Sequence, residues 1–231
     1  SIKNADLIRS ISDFTEKQAL NFGYKGLFVR FPAWINIDNY LNADTKRLST
    51  GTFKIIFVGS VTERKNSKII IESLETIDDD ISLEIIGQTP NLKYLKELNK
   101  LIASSKHAKS ITMTPFIKAE ELILKYSSAN LFILPSKSEG LGRVIIEAQS
   151  TACPVLVSSN TGMTDLIIEN ETGYIFENNN KNDLTKKIQY IIDNYESALQ
   201  IGLNSKDFVK ENQSVTNFEF GYKKLIDLVS T

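Results

Sequence analysis

From residue 53 onward the chain alternates between short apolar runs rich in β-branched residues and longer segments whose apolar positions recur at helical spacing. The runs "FKIIFVG" (53–59), "ISLEIIG" (81–87), "ITMTPF" (111–116), "LFILPS" (131–136), "PVLVSS" (154–159) and "TGYIF" (172–176) read as strands. The segments between and after them read as helices: "SKIIIESLETI" (67–77), "NLKYLKELNKLIASS" (91–105), "KAEELILKYSSA" (118–129), "RVIIEAQSTA" (143–152), "MTDLII" (163–168) and "KNDLTKKIQYIIDNYESALQ" (181–200). Near-continuous apolar strands separated by helices predict the α/β class: a doubly wound, six-stranded parallel sheet covered on both faces. Such sheets bind ligands beyond the carboxyl ends of their strands, where the strand-to-helix loops lie.

Residues 1–37 form a separate strand–helix–strand pattern: "ADLIRSIS" (5–12), "DFTEKQALNFG" (13–23) and "GLFVRFPA" (26–33). The polar stretch from 38 to 51 reads as a linker, which divides the chain into residues 1–50 and a main domain over 51–231. One βαβ unit cannot bury a core alone, so this piece is expected to dock on the main domain or to belong to a domain outside the chain. The first residue is Ser1 rather than Met, as expected of a processed or partial chain. The tail "FEFGYKKLIDLVS" (218–230) predicts a last helix, and "ENNNKND" (177–183) a solvated turn.

Charge narrows the list of partners. Lys plus Arg number 27 against 28 Asp plus Glu, so there is no net field to draw a polyanion, and nucleic acid is an unsuitable partner. The single cysteine, Cys153 in "TACPVLV", precludes an intramolecular disulfide and reads as a buried packing residue of a reducing compartment. No apolar run approaches the roughly 20 residues of a membrane span, and no signal peptide is visible. The expected location is cytoplasmic.

The stretch "PSKSEGLGRVIIEAQ" (135–149) carries the most chemistry. If strand gives way to helix here, "KSEGLG" is the loop at the ligand-binding edge. The N–H groups of Leu141, Gly142, Arg143 and Val144 then open the helix, an anion site suited to a diphosphate. Gly140 and Gly142 would let backbone approach a ligand closely. Glu139 would project from the loop into the same pocket, with Glu147 one to two turns into the helix, and carboxylates accept well from sugar hydroxyls. On spacing alone two glutamates eight apart on a helix more often describe a solvated face. The two glycines lack the third of a dinucleotide fingerprint and follow the fourth main strand rather than the first, which argues against NAD.

Residues 138–176, "SEGLGRVIIEAQSTACPVLVSSNTGMTDLIIENETGYIF", resemble the nucleotide-sugar-binding region of the family 4 retaining glycosyltransferases, which have the GT-B fold. The shared pattern is a loop Glu, a Gly, an aromatic or Leu, a Gly, and a second Glu after seven residues, followed by Pro-Val and a later Gly-rich loop. "FVGSVTERKN" (57–66) looks like the family's first strand and phosphate loop, including Gly59 and Lys65, but Ser60 stands where an Arg is expected and Arg64 is the candidate to compensate. Ala152 and Asn170 occupy common glycine positions, Thr161 replaces the first Gly of a usual pair, and Asp165 replaces a Glu. Residues 5–33 resemble the end of the family's N-terminal domain.

The resemblance implies that residues 1–50 end an N-terminal domain and that 51–231 are the Rossmann-like C-terminal donor domain of a hexosyltransferase. It implies metal-independent transfer, without a cofactor, from a nucleoside-diphosphate sugar to a glycan or lipid-linked acceptor in polysaccharide biosynthesis. Peripheral association with the inner membrane face would accompany such a role, and the missing N-terminal domain would be a partner. Lys65, Arg64 and Glu139 would be the catalytic residues; Glu147 would hold the ribose, and backbone at Phe116 and Ile117 the base. Two rivals stand beside this reading: a non-catalytic nucleotide-sugar-binding module dependent on a partner, and an unrelated α/β interaction domain. Three further features read more simply. His107 is expected at the surface without metal partners, Asp78, Asp79 and Asp80 form a solvated turn at the amino edge, and Trp34 packs between domains.

Overall fold

The computed structural model of the protein describes residues 2–45, 47, 50–162 and 166–230. Its main domain is the predicted parallel sheet, built from β3 (Phe53–Val58), β4 (Ile81–Ile86), β5 (Ile111–Thr114), β6 (Leu131–Leu134), β7 (Val155–Ser158) and β8 (Tyr174–Phe176), in the order β5-β4-β3-β6-β7-β8. All neighbours are parallel, with Ile55 paired to Leu83 on one side and Leu131 on the other. The strand order reverses direction between β5 and β6, so right-handed crossovers place the helices on opposite faces. α3 (Ser67–Leu74), α4 (Leu92–Ser104) and α7 (Lys181–Asp193) pack together on one face. α5 (Ala119–Ser128), α6 (Arg143–Ser150) and α8 (Tyr195–Asn212) pack on the other. Central β6 is fully buried along its length, and each such Leu, Ile or Phe contributes about 1.5–3 kcal/mol relative to exposure.

Coverage is not complete. On the α5 face Lys54 and Thr112 are exposed and Ser82 and Glu84 half-buried, with Lys125 of α5 bridging to Glu84 at 2.9 Å. The crossover helix α5 leaves the β4–β5 edge for β6, and these strands accordingly alternate polar with apolar instead of running apolar throughout.

The N-terminal unit is β1 (Leu7–Ser10), α1 (Asp13–Asn21) and β2 (Leu27–Arg30), a parallel pair joined by a helix whose start is fixed by a capping box between Ser12 and Thr15. It docks rather than floats. α9 (Val215–Val229) brings Phe218 and Tyr222 edge-on to Phe31, with ring centroids 5.8 and 6.3 Å away, and Gly221 lies flat on the same ring. The expected linker contains a short helix, α2 (Asp38–Leu41), resting on α6. Ile35 and Ile37 anchor this crossing in the core, whereas Trp34, expected to pack, is 52% exposed.

Two predicted helices differ. The run from 181 is broken at Asn194, whose side chain and N–H both bond the Tyr190 carbonyl and end α7; α8 then continues to Asn212. In the segment read as "MTDLII", Met163, Thr164 and Asp165 lie outside the described residues, and Leu166, Ile167 and Ile168 form no α-helix. Ala152 and Asn170, at the usual glycine positions, do adopt φ of 58° and 64°. Cys153 is buried, as expected. His107 is half-buried rather than exposed, with Nε2 3.1 Å from the Leu74 carbonyl. Asp78, Asp79 and Asp80 each face a separate partner at the amino edge, namely Lys106, Gln189 and Thr52.

Candidate functional site

At the carboxyl edge of the sheet, the loops after β3, β6 and β7 converge. Backbone contacts fix them to one another. The Lys137 N–H donates to the Arg64 carbonyl at 2.8 Å, Glu139 and Thr161 form an isolated parallel bridge, and the Glu139 N–H donates to Asn160 at 3.3 Å. Gly59 and Gly87 both hold φ near +148° (147° and 149°), and a Cβ on Gly87 would lie 1.9 Å from the Gly59 carbonyl oxygen. Only glycine allows the loops after β3 and β4 to cross this closely.

The three residues expected to be catalytic meet at one carboxylate. Lys65 Nζ pairs with Glu139 Oε2, both residues being buried, and Arg64 Nη1 reaches the same oxygen at 3.2 Å while donating to the Ser138 carbonyl at 2.7 Å. Both cations go to Oε2, and Oε1 accepts no hydrogen bond among the described residues. Burying a lone carboxylate costs several kcal/mol; two cations make this one tenable.

The start of α6 follows directly. Gly142 is its N-cap and provides no side-chain cap. Of the four N–H groups expected to open the helix, that of Arg143 is taken by the Leu141 carbonyl at 3.1 Å. Those of Leu141, Gly142 and Val144 make no hydrogen bond among the described residues. The two glycines differ in purpose. Among the described residues a Cβ at Gly140 would meet no atom within 4 Å, whereas one at Gly142 would come within 2.8 Å of Ile145 Cδ1. Gly140 thus leaves room beside its own backbone, while Gly142 is held close to Ile145 of its own helix.

Glu147 sits half-buried on α6, facing α5, where the Tyr126 hydroxyl donates to its Oε2 at 3.4 Å. Burial pushes its carboxyl pKa up, against the opposing pull of Arg143 one turn earlier and of the Tyr126 hydrogen bond. It stands apart from the Glu139 cluster and shares no partner with it. Phe116 is 72% exposed beyond β5, Ile117 half-buried beside it, and Ser60 exposed with no hydrogen bond from its side chain among the described residues.

Sequence reasoning missed two contributors. Asn178, in the tract read as a solvated turn, accepts from Ser158 Oγ at 3.0 Å and donates from Nδ2 to the Lys137 carbonyl at 3.4 Å, holding the Glu139 loop from behind. Asn179 beside it accepts from Asn66 at the mouth of α3. A polar run directly after a strand at the ligand edge was the available signal. Tyr126 was read only as part of a helix.

The family model "Glycosyl transferases group 1" matches residues 42–208. Among curated proteins, the capsular polysaccharide biosynthesis glycosyltransferase CapM of Staphylococcus aureus is 25% identical over 221 residues, covering 93% of this chain and 56% of CapM. Among solved structures, sucrose-phosphate synthase of Thermosynechococcus elongatus superposes with a TM-score of 0.83 at 22% identity, covering 99% of this chain and 59% of that one. HepE of Anabaena, in complex with UDP-glucose, gives 0.84 at 17%, covering 96% and 64%. The chain thus spans little more than half the length of CapM, and these structural likenesses establish the GT-B fold. With the matched region running from the crossing helix α2 into α8, the chain belongs to the group 1 glycosyltransferases.

Proposed function

We propose that residues 51–231 are the donor-binding half of a retaining glycosyltransferase, with residues 1–50 the end of its acceptor-side domain and the crossing between them. The donor is a nucleoside-diphosphate sugar, and the acceptor a glycan or lipid-linked sugar in polysaccharide biosynthesis. One observation carries this reading: Lys65, Arg64 and Glu139 gather beside the uncapped start of α6, where a Cβ on Gly140 would meet no atom within 4 Å among the described residues. The cations and the N–H groups unbonded among the described residues suit a diphosphate, and Oε1 of Glu139, which accepts no bond among them, suits a sugar hydroxyl.

In the reaction, the bond between the anomeric carbon and the diphosphate oxygen breaks, and the acceptor oxygen bonds to the same face of that carbon while passing its proton to the departing diphosphate oxygen. Negative charge grows on the departing diphosphate. Lys65, Arg64 and the α6 start stabilise it there, without a metal ion. Glu139 orients the transferred sugar, Glu147 the ribose, and Phe116 with Ile117 the base. Ser60, in place of an arginine, leaves more of the diphosphate's charge to Arg64.

A thermal-shift panel with UDP, GDP and ADP, each with and without EDTA, tests this, because a ligand binding only the folded state stabilises it by mass action. The expected result is a rise with one nucleotide, unchanged by EDTA. No shift at millimolar nucleotide would overturn the donor-site reading, and a shift abolished by EDTA would overturn metal independence. Transfer activity regained on adding an N-terminal half separates an enzyme from a binding module.

A further inference from the structure

The hydroxyl of Tyr126 is in an unusual position for a core residue. The side chain is fully buried, its ring held edge-on to Phe132 at 5.8 Å and tilted against Tyr40 of the crossing helix at 6.3 Å. A phenylalanine would fill this space without burying a polar atom, and a buried hydroxyl requires an acceptor. Among the described residues, the acceptor is Glu147 alone, and Tyr126 is in turn the only hydrogen-bond donor to the Glu147 carboxylate. Arg143, one turn away, acts on Glu147 only through its charge. A carboxylate has about four lone-pair sites, so one is committed to the tyrosine and the others remain for a ligand.

We propose that Tyr126 is a positioning residue, its hydroxyl fixing the Glu147 carboxylate from beneath so that the free lone pairs receive the two ribose hydroxyls of the donor. The inference rests on the reading of Glu147 as the ribose ligand. The 3.4 Å separation is longer than the roughly 2.8 Å of an ordinary hydroxyl bond, and contacts of this kind tighten in the ligand complex. Tyr40 braces the tyrosine ring, so the segment that crosses between the two halves of the chain bears directly on the group that seats the nucleotide.

The test uses UDP, GDP and ADP, each beside its 2′,3′-dideoxy counterpart, with affinities measured by calorimetry. For the nucleotide that binds, the wild-type chain should prefer the ribose form, Glu147→Gln should erase most of that preference, and Tyr126→Phe should reduce it about fivefold to tenfold. The dideoxy form should bind wild type and Tyr126→Phe equally, which a general loosening of the core would not allow. Adding Tyr126→Phe to Glu147→Gln should cause no further loss, because both act through one carboxylate. If Glu147→Gln erases the preference and Tyr126→Phe keeps it, or if the double variant loses affinity additively, the positioning role is overturned while the ribose reading stands. If Glu147→Gln itself leaves the preference intact, the ribose reading falls and the inference with it.

Discussion

Lys65 and Glu139, 74 positions apart in the chain, form a buried ion pair where the loops after β3 and β6 touch, and Arg64 closes on the same carboxylate oxygen. The pair joins stability to function. Glu139→Gln leaves the Lys65 ammonium buried without its counter-charge, a change that costs about 3 kcal/mol in comparable sites. Urea denaturation should show that loss, reversed in part by diphosphate, which supplies the missing negative charge. In an intact two-domain enzyme the same variant should lose most of its turnover with little loss of nucleotide affinity. Unchanged turnover would remove Glu139 from the mechanism.

Gly140 and Gly162 make opposite predictions although they touch. A Cβ on Gly162 would come 2.3 Å from the Gly140 carbonyl oxygen, a backbone atom that cannot step aside, whereas one on Gly140 would meet no atom within 4 Å among the described residues. Gly162→Ala should therefore destabilise the chain by about 1–3 kcal/mol, as overpacking does. Gly140→Ala should leave the melting temperature within about a degree, as for surface changes, yet weaken nucleotide binding. Equal effects on stability would show that the cleft above Gly140 is not open.

The sheet was legible because each strand announces itself by an apolar run bounded by Gly, Pro or polar residues, and the Glu139 loop because its glycines fall between strand and helix. What escaped detection depends on tertiary contact. Nothing local marks Asn194 as the break between α7 and α8, since the apolar spacing continues through it. Asn178 reads as solvated until β7 is brought beside it. The grouping of Lys65, Arg64 and Glu139 as candidates followed from the family resemblance, while the pairing of Lys65 with Glu139 required the fold. The alternation that buries Ile35 and Ile37 leaves Trp34, expected to pack between domains, 52% exposed.

Arg47 is a further contact invisible in sequence. From the polar stretch between the two parts of the chain, its guanidinium donates to the carbonyls of Tyr126, Ala129 and Thr151, at 2.7, 2.7 and 2.9 Å. These lie at the carboxyl ends of α5 and α6, where a cation is favoured by the helix dipoles. Arg47→Ala should cost about 2 kcal/mol in urea denaturation. Arg47→Lys should recover less than half of this, because an ammonium cannot present the planar fork that spans both helix ends. Full recovery by lysine would reduce the contact to simple charge.

Glu147 links stability to pH in a direction opposite to that of most paired carboxylates. Its pKa is raised above the ordinary 4.5, chiefly by burial, with Arg143 and Tyr126 offsetting only part of that penalty. A carboxyl whose folded pKa lies above its unfolded one favours folding fully below the unfolded value, and that contribution is lost as pH rises through the folded value. At neutral pH the charged form is therefore a cost to the fold, which the proposed ribose role would explain. Glu147→Gln keeps the size and an acceptor oxygen for Tyr126 but carries no charge. Its melting temperature should match wild type below the ordinary carboxyl value and exceed it progressively as pH rises above, while its preference for ribose nucleotides disappears. A constant offset across the range would mean that packing, not ionisation, separates the two. A wild type more stable than the variant at neutral pH would show that the charge is satisfied within the fold and not reserved for a donor.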